Sequence, residues 1–154
     1  MSLPARLHIA FDPIYAHPLP EGHRFPMVKY ELIPEQLIYE GSISPDNLFS
    51  PAMCPDEIVL LTHSKEYLDK LHNQNLSAKE QRHIGFPQSP DLTRRELIIT
   101  QGTIDCCTYA ISNGVSLNVA GGTHHAFADR SEGFCLLNDF AVAANYLLHF
   151  GLAR

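Results

Sequence analysis

Strand-like and helical segments alternate along this 154-residue chain, and the alternation restricts the folds that it can adopt. Residues 7–11 predict a short strand, and the apolar run at 115–120 predicts a second, buried strand. A helix over 140–150, ended by Gly151, follows the second strand. Strands separated by helices are typical of α/β domains with a parallel sheet, so we predict that class here.

The segments between the two strands carry helix start and stop signals. Ser89-Pro90 opens the longest predicted helix, because serine caps a helix and proline fits its first turn, and Asn113-Gly114 ends that helix. The other predicted segments are, in chain order, a proline-rich loop at 12–26, short helices at 26–32 and 34–40 interrupted by Pro34, a loop at 42–55, a short helix begun by Pro55, a helix from Ser64 to about 72, and a polar loop at 73–88.

Composition excludes several classes of protein. Hydrophobic residues make up 45% of the chain and charged residues 18%, which predicts one globular domain over 1–154. The net charge of -6 argues against nucleic-acid binding, and no apolar stretch is long enough to predict a membrane span. The four cysteines form no C-x-x-C pair, which predicts reduced thiols in a cytoplasmic protein.

The run GGTHHAFADRSEGFCLLND at 121–139 contains most of the candidate chemistry. His124 and His125 follow a double glycine at the end of a predicted strand, where loops of α/β sheets face the ligand crevice. Because histidine titrates near neutral pH, the pair suits general acid and base catalysis, and its nitrogens also suit a metal. The remaining interpretation is that both are ordinary polar loop residues.

Two further parts of the run leave alternatives open. Gly121-Gly122 lacks the sequence patterns of phosphate-binding loops, so it predicts a tight turn rather than a nucleotide site. Cys135 lies ten residues after His125, with Asn138 nearby, which is conceivable for a cysteine hydrolase. The local signatures of cysteine hydrolases are absent, however, and a small buried thiol before a helix is the competing interpretation.

The same run resembles the signature of the zinc-dependent histone deacetylase superfamily, which includes acetylpolyamine amidohydrolases and acetoin-utilisation proteins. Three supporting segments occur in the family's order: GHRFPM at 22–27, HSKEY at 63–67 and QGT at 101–103. The resemblance covers nearly the whole chain. It implies the N-terminal half of an arginase/deacetylase-like fold, an α/β fold whose central parallel sheet is flanked by helices.

The resemblance implies roles for the two histidines and their surroundings. His125 would be the general base and acid that activates a metal-bound water and protonates the leaving amine, with His124 as its electrostatic partner. The carbonyl of Gly133 would accept from the scissile amide. The same resemblance implies that the substrate tunnel is lined by Phe134, Cys135, His23 and Arg24. Arg24 would border the channel through which acetate leaves.

Two departures from the family pattern qualify these roles. The family binds zinc through an Asp-x-His pair and a further aspartate, and no Asp-x-His occurs in these 154 residues. We therefore expect the zinc ligands beyond Arg154, and no catalytic zinc or activity in the isolated chain. Peptide-processing members carry an aspartate before a Cys-Pro that precedes the long helix, where this chain has IGFP at 84–87, which argues against a histone-tail substrate.

The resemblance therefore implies a hydrolase, a deacetylase that cleaves an acyl group from acetyl-lysine, an acetylpolyamine or a similar small acylated amine. This chain would be an incomplete fragment of it that pairs with a C-terminal half or with another copy of itself. The alternatives are a non-catalytic interaction or assembly module and the cysteine hydrolase built on Cys135.

Overall fold

Three short parallel strands lie at the centre of the computed structural model, which describes residues 7–154. The strands are β1 (His8–Ala10), β2 (Leu48–Phe49) and β3 (Ser116–Asn118). The helices are α1 (Lys29–Tyr39), α2 (Asp56–Val59), α3 (Lys65–His72), α4 (Ala78–Ile84), α5 (Pro90–Asn113) and α6 (Asp139–His149), and single 3-10 turns cover Pro13–Tyr15 and Pro45–Asn47.

The sheet has the order β2-β1-β3, so the first strand of the chain lies in the middle. Ile9 pairs with Leu48 on one side and with Leu117 on the other, and both pairings are parallel. Ile9 and Ala10 are buried, because helices cover the central strand. The predicted α/β class with a parallel sheet is confirmed.

Helix α5 is the main support of the sheet and of the loop that follows it. It packs against β1, β3 and α6, and most residues of its first half are buried. The Ser89 hydroxyl accepts from the backbone N–H of Leu92 at 3.0 Å, and Gly114 ends the helix with φ +89°. Both predicted ends of this helix are confirmed, as is the helix from Ser64.

The prediction of two short helices around Pro34 is wrong, because one helix, α1, runs through that residue. Proline cannot donate the backbone hydrogen bond expected at its position, which is why the sequence pattern predicts an interruption. Pro34 and Tyr30 are both buried on the inner face of α1. Burial of these rings offsets the lost hydrogen bond, so the helix continues.

Two elements lie in segments that the sequence pattern assigns to loops. Helix α4 lies within 73–88, where Ser77 and Glu80 form a reciprocal capping box and Gly85 ends the helix with φ +80°. Strand β2 lies within 42–55 and has only two residues, too few to leave a periodic pattern. Its identity as a strand comes from its pairing with β1.

The prediction that the segment 115–120 is buried is wrong for its first half. Val115 and Leu117 are about half exposed, although α5 packs against β3. Ala120, where the segment turns toward the site, is buried.

None of the helices in the described part combines the length and hydropathy that a membrane span needs.

Candidate active site

The two adjacent histidines lie on an exposed loop that leaves β3. His124 Nδ1 is 2.8 Å from the carbonyl oxygen of Gly122, and because a carbonyl can only accept, Nδ1 carries the proton when this ring is neutral. The lone pair of His124 is therefore on Nε2. The centroids of the His124 and His125 rings are 4.3 Å apart and the rings are tilted by 38° to each other, so the two imidazoles lie in direct contact.

The backbone of the segment GFC at 133–135 lies against this pair. A Cβ atom placed on Gly133 would be 3.5 Å from Cγ of His125, at ordinary van der Waals distance, so the side of Gly133 that would carry a side chain faces the ring. Gly133 and Phe134 both have positive φ, +53° and +66°, a conformation that glycine adopts freely and phenylalanine adopts at a cost. The structure thus brings together His125 and Gly133, which lie eight residues apart in sequence.

Phe134, which follows Gly133 in the chain, is the centre of an aromatic wall. Its ring centroid lies 5.0 Å from that of Phe25 and 5.0 Å from that of Phe86. Its backbone N–H donates to the carbonyl of Ile84 at 2.8 Å, at the end of α4. A Cβ on Gly85 would be 2.7 Å from Cε1 of Phe134, so only glycine allows this ring to lie there.

His23 and Arg24 lie at the edge of the same wall. His23 Nε2 donates to the Gly85 carbonyl at 2.8 Å and its Nδ1 accepts from the backbone N–H of Phe25 at 3.2 Å. Nε2 thus joins the 22–27 loop to the end of α4, and Nδ1 forms a bond within the loop. The Arg24 guanidinium lies over the Phe134 ring, 4.9 Å from its centroid, and the residue is exposed.

Cys135 lies behind the wall and is only 6% exposed. Burial raises the pKa of its thiol, whereas a nucleophilic cysteine requires a lowered pKa. These observations favour a wall residue over a nucleophile, and they weaken the cysteine hydrolase alternative.

The Asn138-Asp139 pair holds both ends of the histidine loop. The Asn138 side chain donates to the carbonyls of His124 and Ala126, at 3.3 and 3.1 Å, and its oxygen caps α6 by accepting from Ala141. The backbone N–H of Asn138 donates to Nε2 of the buried His63 at 3.0 Å. Burial lowers the pKa of His63, which keeps that ring neutral and able to accept.

Asp139, the first residue of α6, is fully buried and accepts from the loop backbone. The backbone N–H groups of Gly122 and Thr123 donate to its two oxygens at 3.0 and 2.7 Å. The hydroxyls of Thr123 and Thr103 also lie within hydrogen-bond distance of the carboxylate. Neither Asp139 nor Thr103 is among the site residues predicted above. The sequence indicates an aspartate at the start of a helix, but it does not indicate that this carboxylate bonds to Thr123 and Thr103, 16 and 36 residues away.

Metal binding needs at least three suitable ligands in one place. Within residues 7–154, no group of three or more histidine, cysteine, aspartate or glutamate side chains is close enough to share an ion. His124 and His125 alone do not make a zinc site, so the described residues do not fit a catalytic zinc by themselves.

Comparison with known proteins identifies the family. Residues 23–154 match the family model of the histone deacetylase domain. An uncharacterized protein of Picosynechococcus sp. is 40% identical over 147 residues, 95% of this chain and 49% of that protein. The acetoin utilization protein AcuC of Staphylococcus aureus is 25% identical over 150 residues, 91% of this chain and 39% of AcuC.

A solved structure shows the same fold. The crystal structure of an HDAC homolog complexed with SAHA superposes with a TM-score of 0.79 at 24% identity, over 97% of this chain and 43% of that one. The chain thus spans half or less of the length of these relatives. Since the family model covers most of its residues, the chain belongs to the histone deacetylase family.

Proposed function

We propose that this chain supplies the proton-transfer part of a zinc-dependent amidohydrolase that removes an acetyl or similar acyl group from an amine. Acetyl-lysine and acetylpolyamines are the substrate class. The observation that carries the proposal is that Gly133 faces the His125 ring and is followed in the chain by Phe134, the centre of the aromatic wall. A proton-transfer group, a backbone carbonyl and an apolar wall are what an amide with an aliphatic arm requires.

Within the proposal, His125 takes a proton from the attacking water and returns it to the leaving amine. His124 lies beside it, 4.3 Å between ring centroids, and supports the charge that develops during this transfer. The lone pair on Nε2 of His124 faces away from its bond to Gly122 and is free for a further partner. The carbonyl of Gly133 accepts from the substrate amide.

The tunnel residues of the proposal are those of the aromatic wall. Phe134 contacts the aliphatic arm of the substrate, with Cys135 and His23 behind and beside it. Arg24 borders the exit for the released acid, and its exposed guanidinium suits an anion.

Zinc would supply Lewis-acid chemistry in such an enzyme, and within the proposal its ligands are residues other than those that the structure describes. We also place the protein in the cytoplasm. Its four cysteines are free thiols, three of them buried, which suits a reducing compartment.

A hybrid protein tests the function. This chain replaces the matching 49% of the 40%-identical Picosynechococcus relative, and the hybrid is assayed with zinc on acetyl-lysine and acetylpolyamine reporters. We expect zinc-dependent turnover by the hybrid, and none from the 154-residue chain alone. A hybrid that folds and binds zinc but releases no acetate, while the intact relative does, would favour a non-catalytic module.

A further inference from the structure

The Asp139 carboxylate lies where three parts of the chain meet. It is the first residue of α6, it is 0% exposed, and it receives hydrogen bonds from the histidine loop and from α5. The backbone N–H groups of Gly122 and Thr123 can only donate, so both carboxylate oxygens act as acceptors for the loop.

A directed series of hydrogen bonds reaches this carboxylate from the sheet. The Asn118 amide, at the end of β3, donates to the Thr103 hydroxyl at 2.9 Å and to the Ile99 carbonyl at 2.9 Å. The Thr103 hydroxyl then donates to Asp139. Each donor in such a series strengthens the next, and the series ties β3, α5 and α6 to one point under the loop.

The backbone at Gly121 passes this point with little room for a side chain. A Cβ on Gly121 would be 3.0 Å from the Thr103 hydroxyl oxygen and 3.1 Å from Oδ2 of Asp139. The double glycine thus serves close approach of the loop to a buried carboxylate, which the sequence pattern alone describes only as a tight turn.

The bond from Asp139 to Gly122 continues into the active site. Asp139 Oδ2 accepts from the Gly122 N–H, and the carbonyl of the same Gly122 accepts from Nδ1 of His124. Orientation of one peptide group therefore determines which nitrogen of His124 carries the proton.

We propose that Asp139 is a positioning residue of the active site, which fixes the Gly122 and Thr123 peptides and, through them, the Nδ1–H tautomer of His124. Thr103 is its supporting partner. The inference deepens the proposed function, on which its catalytic meaning rests, but the positioning itself is measurable without turnover.

The test is NMR of this protein with ¹⁵N-labelled histidine and backbone. In the wild type we expect slow amide exchange at Gly122 and Thr123 and an Nδ1–H signature for the His124 ring. Asp139→Asn removes one acceptor, and whichever way the new amide is turned, its NH2 group faces a backbone N–H. Exchange at those two amides should rise about tenfold or more, and the His124 ring should become a mixture of tautomers.

Controls separate positioning from a general loss of stability. Asp129→Asn makes the same chemical change at an exposed carboxylate and should leave the loop signals unchanged. Thr103→Val keeps the shape but removes the hydroxyl, and it should change exchange at Gly122 in the same direction, with Thr103→Ser restoring it. The two Thr103 variants test the positioning role if Asp139→Asn does not fold.

A merely structural Asp139 predicts a different pattern. The melting temperature would fall in Asp139→Asn and Thr103→Val, while the folded molecules would keep slow exchange at Gly122 and Thr123 and the same His124 tautomer. That result would overturn the proposal. It would leave the deacetylase function untouched, because turnover of the hybrid is measured separately.

Discussion

At the scale of single residues, the site depends on positions where backbone and rings approach closely. Gly85 is the clearest case, because its absent Cβ is the space in which the edge of the Phe134 ring lies. Phe134 itself has φ +66°, and the backbone bonds from Gly133 and Phe134 to the end of α4 hold it in that conformation.

Gly85→Ala should therefore destabilise the protein and displace Phe134. The matched control is Gly41→Ala, since Gly41 has a similar φ of +72° after α1 but no heavy atom within 4 Å of the added methyl group. Both variants strain the backbone, and only Gly85→Ala adds a collision, so we expect it to cost about 1–3 kcal/mol more in urea unfolding. Equal losses in the two variants would show that Phe134 does not require this space.

His63 should make stability depend on pH. Burial lowers its pKa in the folded state, so the unfolded chain binds the proton more tightly. Its contribution is complete above the ordinary histidine pKa of about 6.5 and is lost as pH falls below it. His63→Gln, which retains an acceptor for Asn138, should flatten the fall in unfolding free energy between pH 7 and 5.

Part of that pH dependence should remain in His63→Gln, because burial and Arg95 also lower the pKa of His17. Exposed His149→Gln serves as the control for the removal of one histidine. An unchanged slope in His63→Gln would contradict the assignment of His63 as a neutral acceptor.

At the scale of elements, short capped segments hold the walls of the site. Helix α4 has only seven residues, and its end carries the Gly85 carbonyl that binds His23 and the carbonyls that bind Gly133 and Phe134. Its stability comes from its caps more than from its length.

Ser77→Ala should cost about 1 kcal/mol, because it removes the acceptor for the Glu80 N–H. The Ser77 side chain and backbone also lower the pKa of Glu80 to about 2. That stabilisation is present above the ordinary glutamate pKa and is lost as pH falls toward 2, so the variant should lose less stability in acid than the wild type. Both effects are measured by thermal unfolding monitored by circular dichroism. The control Ser42→Ala, at an exposed position, should change neither the stability nor its loss in acid.

The sequence predicts elements whose signals are local. Ser89, Ser64 and Gly114 mark helix ends that the structure confirms. The capping box of Ser77 and Glu80 is an equally local sequence signal for the start of α4. Strand β2 has no such local signal, since two residues show no periodicity and only their pairing with β1 defines them as a strand. For the site, the histidines and the GFC segment stand out in sequence, whereas the bond between Thr103 and Asp139 joins residues 36 positions apart.

At the scale of the whole molecule, one side of the sheet carries exposed apolar residues. Val115 and Leu117 on and beside β3 are about half exposed, as is Phe140 at the start of α6. A strand with a free edge and apolar neighbours pairs readily with other polypeptide. This surface suits either a second copy of the chain or a further part of the same fold.

We expect the 154-residue chain to self-associate through this surface. Light scattering should give a mass that rises with concentration, and Leu117→Lys should reduce the association because it places a charge on the edge strand. Leu32→Lys, on the exposed face of α1, is the matched control and should leave the association intact. A monomer of 17.2 kDa at every concentration would contradict this expectation.

We propose that His125 transfers the proton in an amide-cleaving site. The most direct measurement is kcat of the hybrid protein with and without His125→Ala, with exposed His149→Ala as the control for removal of a histidine. Loss of a general base and acid should lower kcat about 10²–10⁴-fold without loss of folding or zinc binding. A His125→Ala hybrid that retains the kcat of the parent hybrid would contradict the account.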